Sequence, residues 1–419
     1  MALTENAWSN PTIVVKEALR HLKNNCVMGR LVHRGYEEDY KKTYNGWNQG
    51  DTVTVNGPVY FRTKAARAID TVYLNQRKIT FTVDQWRQVS WILNTEEMTM
   101  DLDKWSKDYI KPAMQAIANR IDTDLLALYK YVPNQVGTPG TTPSTFYVFA
   151  QAQARLTEEG CPEDNRSLVI EAQAQAKLAD SLKGLFLAPV VGKAIRKGRI
   201  TESFAGFQVF VSQNINTHTV GTWAAIADIQ KDAISVELDD HLDLKSTGAA
   251  QTAMAGDIFT IAAVNSVNPV SGMATGSLRQ FVVITEQNMD GSGELADLAV
   301  LPGADYAVHR IIATGGDEAQ LPYQTVDVLP QDNAAVTVAG TTGLVHPVSI
   351  GFHKDAFSLC MVPIVIPASA NWSAQMSHDG YTISVIRYFD GDNIAETVRF
   401  DCLYGIKAIN PLLACRIAG

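Results

Sequence analysis

A long single-sided helix is the feature of this sequence that most limits its fold. Between residues 94 and 132, apolar side chains recur at spacings of three and four residues, which places them on one face of an α-helix. The stripe consists of Ile110, Met114, Ile117, Ile121, Leu125 and Leu128. Pro112 lies inside this segment and predicts a break or kink there, with the longer, straighter part starting near Pro112. Because such a helix needs a broad apolar partner, we expect it to face a sheet containing paired strands at 381–389 and 397–404.

A shorter amphipathic helix is predicted near the N-terminus. Asn10 followed by Pro11 is typical of an N-cap and the first helical position. The apolar face then contains Val15, Ala18, Leu19, Leu22 and Cys26, and the basic face contains Lys16, Arg20 and Lys23. A short helix has little of its own to pack against, so we expect it to dock elsewhere on the fold or on another subunit.

Strand patterns replace the helical ones between residues 50 and 90, where valine, isoleucine and phenylalanine alternate with threonine. Between the two strand patterns lie the basic residues Arg62, Lys64, Arg67, Arg77 and Lys78, with Asp70 as the only acid among them. A two-stranded ribbon with so few large apolar residues is not stable alone. Two interpretations remain open: a solvated charged face, or an intersubunit ribbon whose positive tip meets acidic surface on a neighbour.

The chain between residues 146 and 342 changes character once. Up to residue 216, helices predicted at 146–159 and 172–183 flank a strand at 167–170, as in a mixed α/β layer. From about residue 217, valine, isoleucine, threonine, glycine and aspartate dominate. Short strands are predicted there at 233–238, 257–264, 281–286 and 336–339. A segment of this length is sufficient for a small barrel or sandwich.

Composition excludes several classes of protein. The net charge of −9 argues against a surface that grips nucleic acid throughout, because phosphate binding needs dense lysine and arginine. Five cysteines are present without a C-x-x-C pair or a Cys/His group at zinc spacing, so we expect buried thiols in a reducing compartment. The first residues lack a basic and apolar leader, and the longest apolar runs are too short to cross a membrane.

No motif in the sequence indicates an enzyme. P-loop, dinucleotide-binding, zinc-protease and nucleophile-elbow patterns are absent, so we predict no catalytic residue, cofactor or metal. The run 239–243, with three aspartates and a histidine, lacks calcium-loop spacing. We interpret it as a solvated loop, with an inter-subunit ion-pair loop at Asp239 and Asp240 as the functional alternative. His353 and Asp355 have no nucleophile beside them, so we do not interpret them as catalytic residues.

Three segments, in a fixed order, carry a resemblance to a known family. The first, 198–214, runs from a basic helix end through the corner Phe204–Phe207 into a strand. The second is 256–265, which is followed by 278–283, and the third is 351–359. Together they resemble the major capsid (coat) proteins of tailed bacteriophages, specifically the short-tailed-phage coat family. That family has an extra β domain inserted in the Hong Kong 97-type capsid fold.

The resemblance implies an α+β fold with a spine helix packed on a sheet, an extended loop, an N-terminal arm, an axial domain and an inserted all-β, barrel-like domain. The implied domains are an N-terminal arm at 1–49, the extended loop at 50–93, a peripheral domain at 94–146 and 375–419, an axial domain at 147–216 and 343–374, and the insertion at 217–342.

The resemblance also implies a function. A subunit of this family would self-assemble into hexamers and pentamers of an icosahedral head that encloses double-stranded DNA without reading its sequence. Its partners would be a scaffolding protein, a portal protein and, in some heads, a decoration protein, with no membrane involved. The subunit would assemble in the host cytoplasm and end in the virion.

The residues offer candidates for these contacts. We predict subunit-interface roles for the ribbon residues Arg62, Lys64, Arg67, Arg77 and Lys78 and for Asp239 and Asp240. We predict a scaffold contact at Lys16, Arg20 and Lys23. The rival interpretations are an enzyme of unknown class with an inserted β domain and another oligomeric virion component, such as a tail or portal protein.

Overall fold

The structure, a computed structural model, describes residues 10–36, 52–63, 67, 77–93, 106–181, 203–226, 228–246, 251–302, 310–313, 321–367, 370, 372–390 and 395–419. It divides into two compact units. The first contains residues 1–55, 80–125 and 357–407, and the second contains residues 56–79, 126–356 and 408–419.

The α-helices are α1 Pro11–Asn25, α2 Lys111–Leu126, α3 Phe146–Glu158 and α4 Ala172–Ser181. The strands are β1 Thr52–Asn56, β2 Lys78–Thr82, β3 Gln85–Leu93, β4 Gln135–Val136, β5 Arg166–Ile170, β6 Ser203–Phe204, β7 Phe207–Val211, β8 Thr217–Thr219, β9 Gln230–Lys231, β10 His241–Lys245, β11 Thr252–Ala253, β12 Ile258–Val267, β13 Ala274–Val283, β14 Gln287–Asn288, β15 Glu294–Leu301, β16 Val336–Val338, β17 Val345–Pro347, β18 Ser349–His353, β19 Phe357–Val362, β20 Trp372–His378, β21 Tyr381–Asp390, β22 Ala395–Ala408 and β23 Ala414–Ile417.

The predicted spine helix is present. A π-helical turn, Ser106–Ile110, leads directly into α2, which begins one residue before Pro112, and a 3-10 turn follows at Ala127–Tyr131. Every residue of the predicted apolar stripe is buried. On the same helix, the Asp124 carboxylate accepts hydrogen bonds from Arg87 of β3 at 3.0 Å and Tyr404 of β22 at 2.6 Å. The helix therefore lies against the sheet that contains the C-terminal strands, as predicted.

That sheet has the strand order β19-β22-β21-β20, and β3 also pairs with β22. The predicted antiparallel pairing of 381–389 with 397–404 is confirmed, with Tyr388 opposite Thr397. All nine residues of β3 pair with Glu396–Tyr404. The boundary predicted for the extended loop, 50–93, is therefore wrong at its C-terminal end. Among the described residues of 50–93, the separate two-stranded ribbon consists of β1 and β2.

Helix α1 begins as predicted. The Asn10 side chain accepts a hydrogen bond from the Thr12 amide at 3.0 Å, and the predicted apolar face is buried. The helix contacts β20 and β21. Beyond its end, the Val27 and Gly29 amides donate to the Asp122 carboxylate of α2 at 2.7 and 3.2 Å. Helix α1 thus docks on its own unit.

The second unit contains a sheet of order β4-β23-β18-β5-β7-β6. The corner between β6 and β7 is a two-residue turn in which Ala205 and Gly206 have positive φ values of 47° and 77°, as in type I′ hairpins. The C-terminal strand β23 pairs with β18 and β4. Residues 408–419 therefore belong to this unit, although they were predicted to lie in the peripheral domain with the spine helix. Residues 357–374 were predicted to lie in the axial domain, but β19 belongs to the sheet of the first unit.

The insertion is a closed β-barrel. Its six strands have the order β16-β12-β13-β15-β10-β9, and a bridge between Gln230 and Ala335 joins the two ends of the row. The amide of Lys231 donates to the carbonyl of Ala334, and the amide of Val336 to that of Ile229, both at 2.9 Å. The paired strands β8 and β17 form the stem through which the chain enters and leaves. Closure removes the exposed sheet edges that would otherwise promote aggregation.

One predicted barrel strand is wrong. Residues 233–238 form no strand, although Ile234, Val236 and Leu238 alternate with other residues. Ala233 and Leu238 have positive φ values of 56° and 66°, in the left-handed region that extended strands do not use. The segment instead forms a loop between β9 and β10, and β15 is a strand that the sequence analysis did not identify.

Candidate assembly surfaces

The loop between β9 and β10 presents apolar side chains to solvent. Ile234, Val236 and Leu238 are 58%, 66% and 36% exposed. Large aliphatic side chains grouped in this way on a monomer typically mark an interaction surface. The sequence analysis missed this surface because alternation of apolar residues is also the pattern of a half-buried strand.

The acidic residues predicted in this loop are partly engaged within the chain. The Asp239 carboxylate accepts hydrogen bonds from the amides of Asp240 and His241 at 3.0 and 3.4 Å. The Asp240 carboxylate lies 2.9 Å from His241 Nδ1 and 3.5 Å from Arg310 Nη2. Asp239 therefore shapes the loop, whereas Asp240, whose side chain is 37% exposed, remains accessible.

The predicted ribbon cations do not form one group. Arg77 is buried, with its guanidinium 4.3 Å from the centre of the Tyr323 ring, and burial lowers its pKa to about 10. Arg62 is half-buried and donates to Gln324 Oε1 at 3.0 Å. These two arginines therefore have contacts within their own chain, and their role at a subunit interface stays a prediction. Lys78 and Arg67 are exposed, and Lys64 lies outside the described residues.

The basic face of α1 is accessible in part. Lys16 and Arg20 are exposed, and Arg20 pairs with Glu17 one turn earlier. Lys23 forms an ion pair with Asp379 at 2.6 Å, which holds the pKa of Asp379 below its usual range. Of the three predicted scaffold contacts, Lys16 and Arg20 therefore have side chains available for a partner.

Buried polar groups seat the barrel on its stem, strands β8 and β17. The Asp257 carboxylate, at the start of β12, accepts hydrogen bonds from Trp223 Nε1 at 2.7 Å and the Gly221 amide at 3.1 Å, and lies 2.9 Å from His218 Nε2. His346 stacks edge-on against His218, and burial lowers the pKa of His346 to about 4. A Cβ at Gly221 would lie 2.4 Å from the Thr252 carbonyl oxygen, so this position requires glycine.

A second seat is ionic. Arg279 of β13 has a fully buried side chain and donates to both Glu159 oxygens, at 2.7 and 3.0 Å. Glu159 follows α3 directly. At the C-terminal end of the chain, Arg416 of β23 donates to the Gly256 carbonyl at 2.6 Å, and burial lowers the pKa of Arg416 to about 10. None of these groups is identifiable as a pair from the sequence, because their partners are far apart along the chain.

The described part of the chain contains no group of three or more His, Cys, Asp or Glu residues able to hold a metal ion. All five cysteine side chains are buried, as predicted, and burial raises the thiol pKa values of Cys402 and Cys415 to about 12. His353 is buried on β18. Among the described helices, none has the length and apolar character to cross a membrane.

Comparison with known proteins identifies the family to which the chain belongs. The family model described as P22 coat protein, gene protein 5, matches residues 1–416. The chain belongs to the P22 coat protein family. A curated relative, the major capsid protein of Acyrthosiphon pisum secondary endosymbiont phage 1, is 22% identical over 437 residues, covering 100% of both chains.

Solved structures of phage capsids are also similar to this coat-family chain. One from Mycobacterium phage Che8 has 13% identity and a TM-score of 0.46, covering 93% of this chain and 90% of that one. The capsid of Ralstonia phage GP4 has 9% identity and a TM-score of 0.40, covering 89% and 84%. The CUS-3 coat protein I-domain is 21% identical, with a TM-score of 0.20, and covers 27% of this chain and 95% of that one. Family membership confirms the predicted α+β capsid fold with its inserted β domain.

Proposed function

We propose that this P22 coat-family chain is the major capsid protein of a tailed phage and forms the head shell by self-assembly. The observation that carries this conclusion is the family match over residues 1–416. The chain acts as a structural protein, so the enzyme alternative is not favoured. The curated relative bears the same description, and its full length aligns with this chain.

Two structural features support a role in a lattice. The ribbon of β1 and β2 is a separate two-stranded sheet, and a sheet of two strands needs packing partners to be stable. The loop between β9 and β10 exposes three aliphatic side chains, whose burial against a neighbour would be favourable at about 25 cal/mol per Å² of apolar surface. Stability of this kind belongs to the assembled shell, because the partner surface is another copy.

Finer roles follow from the same reasoning. We assign the exposed ribbon cations Arg67 and Lys78 and the loop residue Asp240 to contacts between subunits of hexamers and pentamers. Lys16 and Arg20 are the residues offered to an acidic scaffolding protein. The shell encloses double-stranded DNA without sequence-specific contacts, in keeping with the net charge of −9. A portal protein completes the head, and assembly takes place in the host cytoplasm.

The loop contact is tested by Val236→Asp. The variant should remain folded, with an unchanged melting temperature, because Val236 is 66% exposed. It should fail to form closed shells in negative-stain images when mixed with its scaffolding protein. Val345→Asp, at a residue that is 59% exposed on β17, is the matched control and should assemble normally. Closed shells from Val236→Asp would contradict the assignment of this loop.

The ribbon contact is tested by Arg67→Glu, with Lys111→Glu on the exposed start of α2 as the control. Charge reversal at an intersubunit ion pair should block shells while leaving the subunit soluble and folded. Normal particles from Arg67→Glu would remove Arg67 from the interface. Monomers from the unaltered protein, under conditions in which the scaffolding protein is present, would contradict the proposed function itself.

A further inference from the structure

The ribbon is attached to the inserted barrel of the same subunit through residues 57–63 and 77, which follow β1 and precede β2 in the chain. Three ribbon side chains, Tyr60, Arg62 and Arg77, contact two consecutive residues of the barrel, Tyr323 and Gln324. All five residues belong to the second compact unit. A ribbon that served only its neighbour would not need these contacts.

An aromatic and cationic cluster forms the centre of this attachment. The Tyr323 ring, which is 4% exposed, forms a T-shaped pair with the Tyr60 ring at 5.7 Å between centroids, and the Arg77 guanidinium lies 4.3 Å from its centre. A cation over an aromatic face is attracted more strongly when water is excluded. Arg77 is 7% exposed, so this contact is of the stronger kind.

A hydrogen bond fixes the geometry of the attachment. Arg62 Nη2 donates to Gln324 Oε1, and Gln324 Nε2 in turn donates to the Val326 carbonyl, both at 3.0 Å. The second bond fixes the orientation of the amide that Arg62 contacts. The Arg62 guanidinium also lies against the backbone of Gly272, where a Cβ would come within 2.6 Å of its Cζ.

The two sides of the ribbon are tied together at the same level. The Gly57 amide donates to the Arg77 carbonyl at 2.8 Å. Both sides of the ribbon are therefore held to one turn of the barrel, Leu321–Tyr323, and the residue after it. Tyr60 and Arg62 make these contacts from one side of the ribbon, and Arg77 makes them from the other.

We propose that the inserted barrel anchors the ribbon before assembly, through Tyr60, Arg62 and Arg77, so that each subunit presents the ribbon to its neighbour at a fixed angle. The inference rests on the proposed function for the presence of a neighbour. The attachment itself is a property of the single subunit. Arg62 and Arg77 are then positioning residues inside the subunit, whereas Arg67 remains free to act between subunits.

The experiment is hydrogen–deuterium exchange on soluble, unassembled full-length protein, followed in peptides covering residues 52–63 and 77–82. Tyr323→Leu keeps an apolar side chain but removes the aromatic face, and Tyr323→Phe is the matched control that keeps the face. We expect exchange of the Gly57 amide to accelerate about tenfold or more in Tyr323→Leu and to change little in Tyr323→Phe. Arg77→Gln and its exposed control Arg67→Gln should show the same contrast.

Unchanged exchange in both Tyr323→Leu and Arg77→Gln would overturn the proposal. Tyr323→Leu could also accelerate exchange throughout the barrel, by unfolding it. In that case the exchange rates of Arg77→Gln test the proposal, because this substitution is on the ribbon and not in the barrel. Because assembly is not measured, a failure of the proposed capsid function would leave these exchange rates unaffected. The two ideas therefore fail separately.

Discussion

The interior of the inserted barrel and its seat are built from opposite kinds of contact. The interior is one cluster of buried apolar side chains, in which the rings of Trp223, Phe259 and Phe281 pack on one another at about 5.5 Å. The seat consists of buried polar pairs, with Asp257 at one point and Arg279 with Glu159 at another.

The difference separates stability from orientation. Apolar burial is favourable in proportion to area and is not directional, so the interior can stabilise the barrel without fixing how it is attached. Hydrogen bonds and ion pairs have strict geometry. A buried ion pair adds little net stability over an apolar replacement, because both ions must lose their hydration. The barrel is therefore expected to fold through its interior and to be oriented by its seat.

The largest effect is expected in the interior. Residues 217–347, expressed alone, should unfold cooperatively in urea, and Phe259→Ala should lower the free energy of unfolding by about 3–5 kcal/mol, because it leaves a cavity between two other rings. Circular dichroism during a urea titration measures the change. A gradual, non-cooperative transition of the unaltered segment, which lacks Glu159, would show that the barrel depends on its ionic seat for stability.

Breaking the ionic seat should have the next largest effect, and only in the full-length chain. Glu159→Gln leaves the fully buried Arg279 without its carboxylate, which should cost about 3 kcal/mol. The double variant Glu159→Gln with Arg279→Met should recover most of this loss, since the uncompensated charge is removed. Thermal unfolding of the unaltered protein and of the two variants gives the comparison. Equal losses in the single and double variants would mean that the pair itself provides net stability.

The polar seat should also respond to pH. Burial lowers the pKa of His346 to about 4 in the folded chain, below the unfolded value of about 6.5. The unfolded chain then binds more protons between these values, so the stabilisation is complete above pH 6.5 and is lost as pH falls towards 4. We expect a loss of about 1–3 kcal/mol across this window. Urea midpoints at several pH values should show a shallower slope for His346→Gln than for the unaltered protein, and parallel slopes would exclude His346 as the cause.

The smallest effect is expected at the barrel surface. Lys245 pairs with Asp232 at 3.0 Å and Asp332 at 3.5 Å, and all three side chains are at least one-third exposed to water. Surface ion pairs contribute about 0–1 kcal/mol, so Lys245→Ala should leave the urea midpoint of residues 217–347 nearly unchanged. A loss as large as that of Phe259→Ala would remove the distinction between the apolar interior and polar contacts.

Features with a local physical cause were predictable from the sequence. The cap of α1 at Asn10, the apolar stripe of α2 and the turn at Ala205–Gly206 each depend on a few neighbouring residues, and helical periodicity and turn chemistry are local. The pairing of the consecutive strands β21 and β22 was predictable for the same reason. The basic run at 193–199 was predicted as a helix end and lies outside the described residues.

Tertiary structure alone decided the pairings between distant segments. Closure of the barrel joins residues 230 and 335, β23 enters a sheet with β18, and β3 pairs with β22. Register and partner choice depend on surfaces brought together by the fold, so alternation alone could not show that residues 233–238 lack a partner strand. The same reason explains the ribbon arginines. Their charge was visible in the sequence, but the aromatic ring that buries Arg77 is more than two hundred positions away along the chain, at Tyr323.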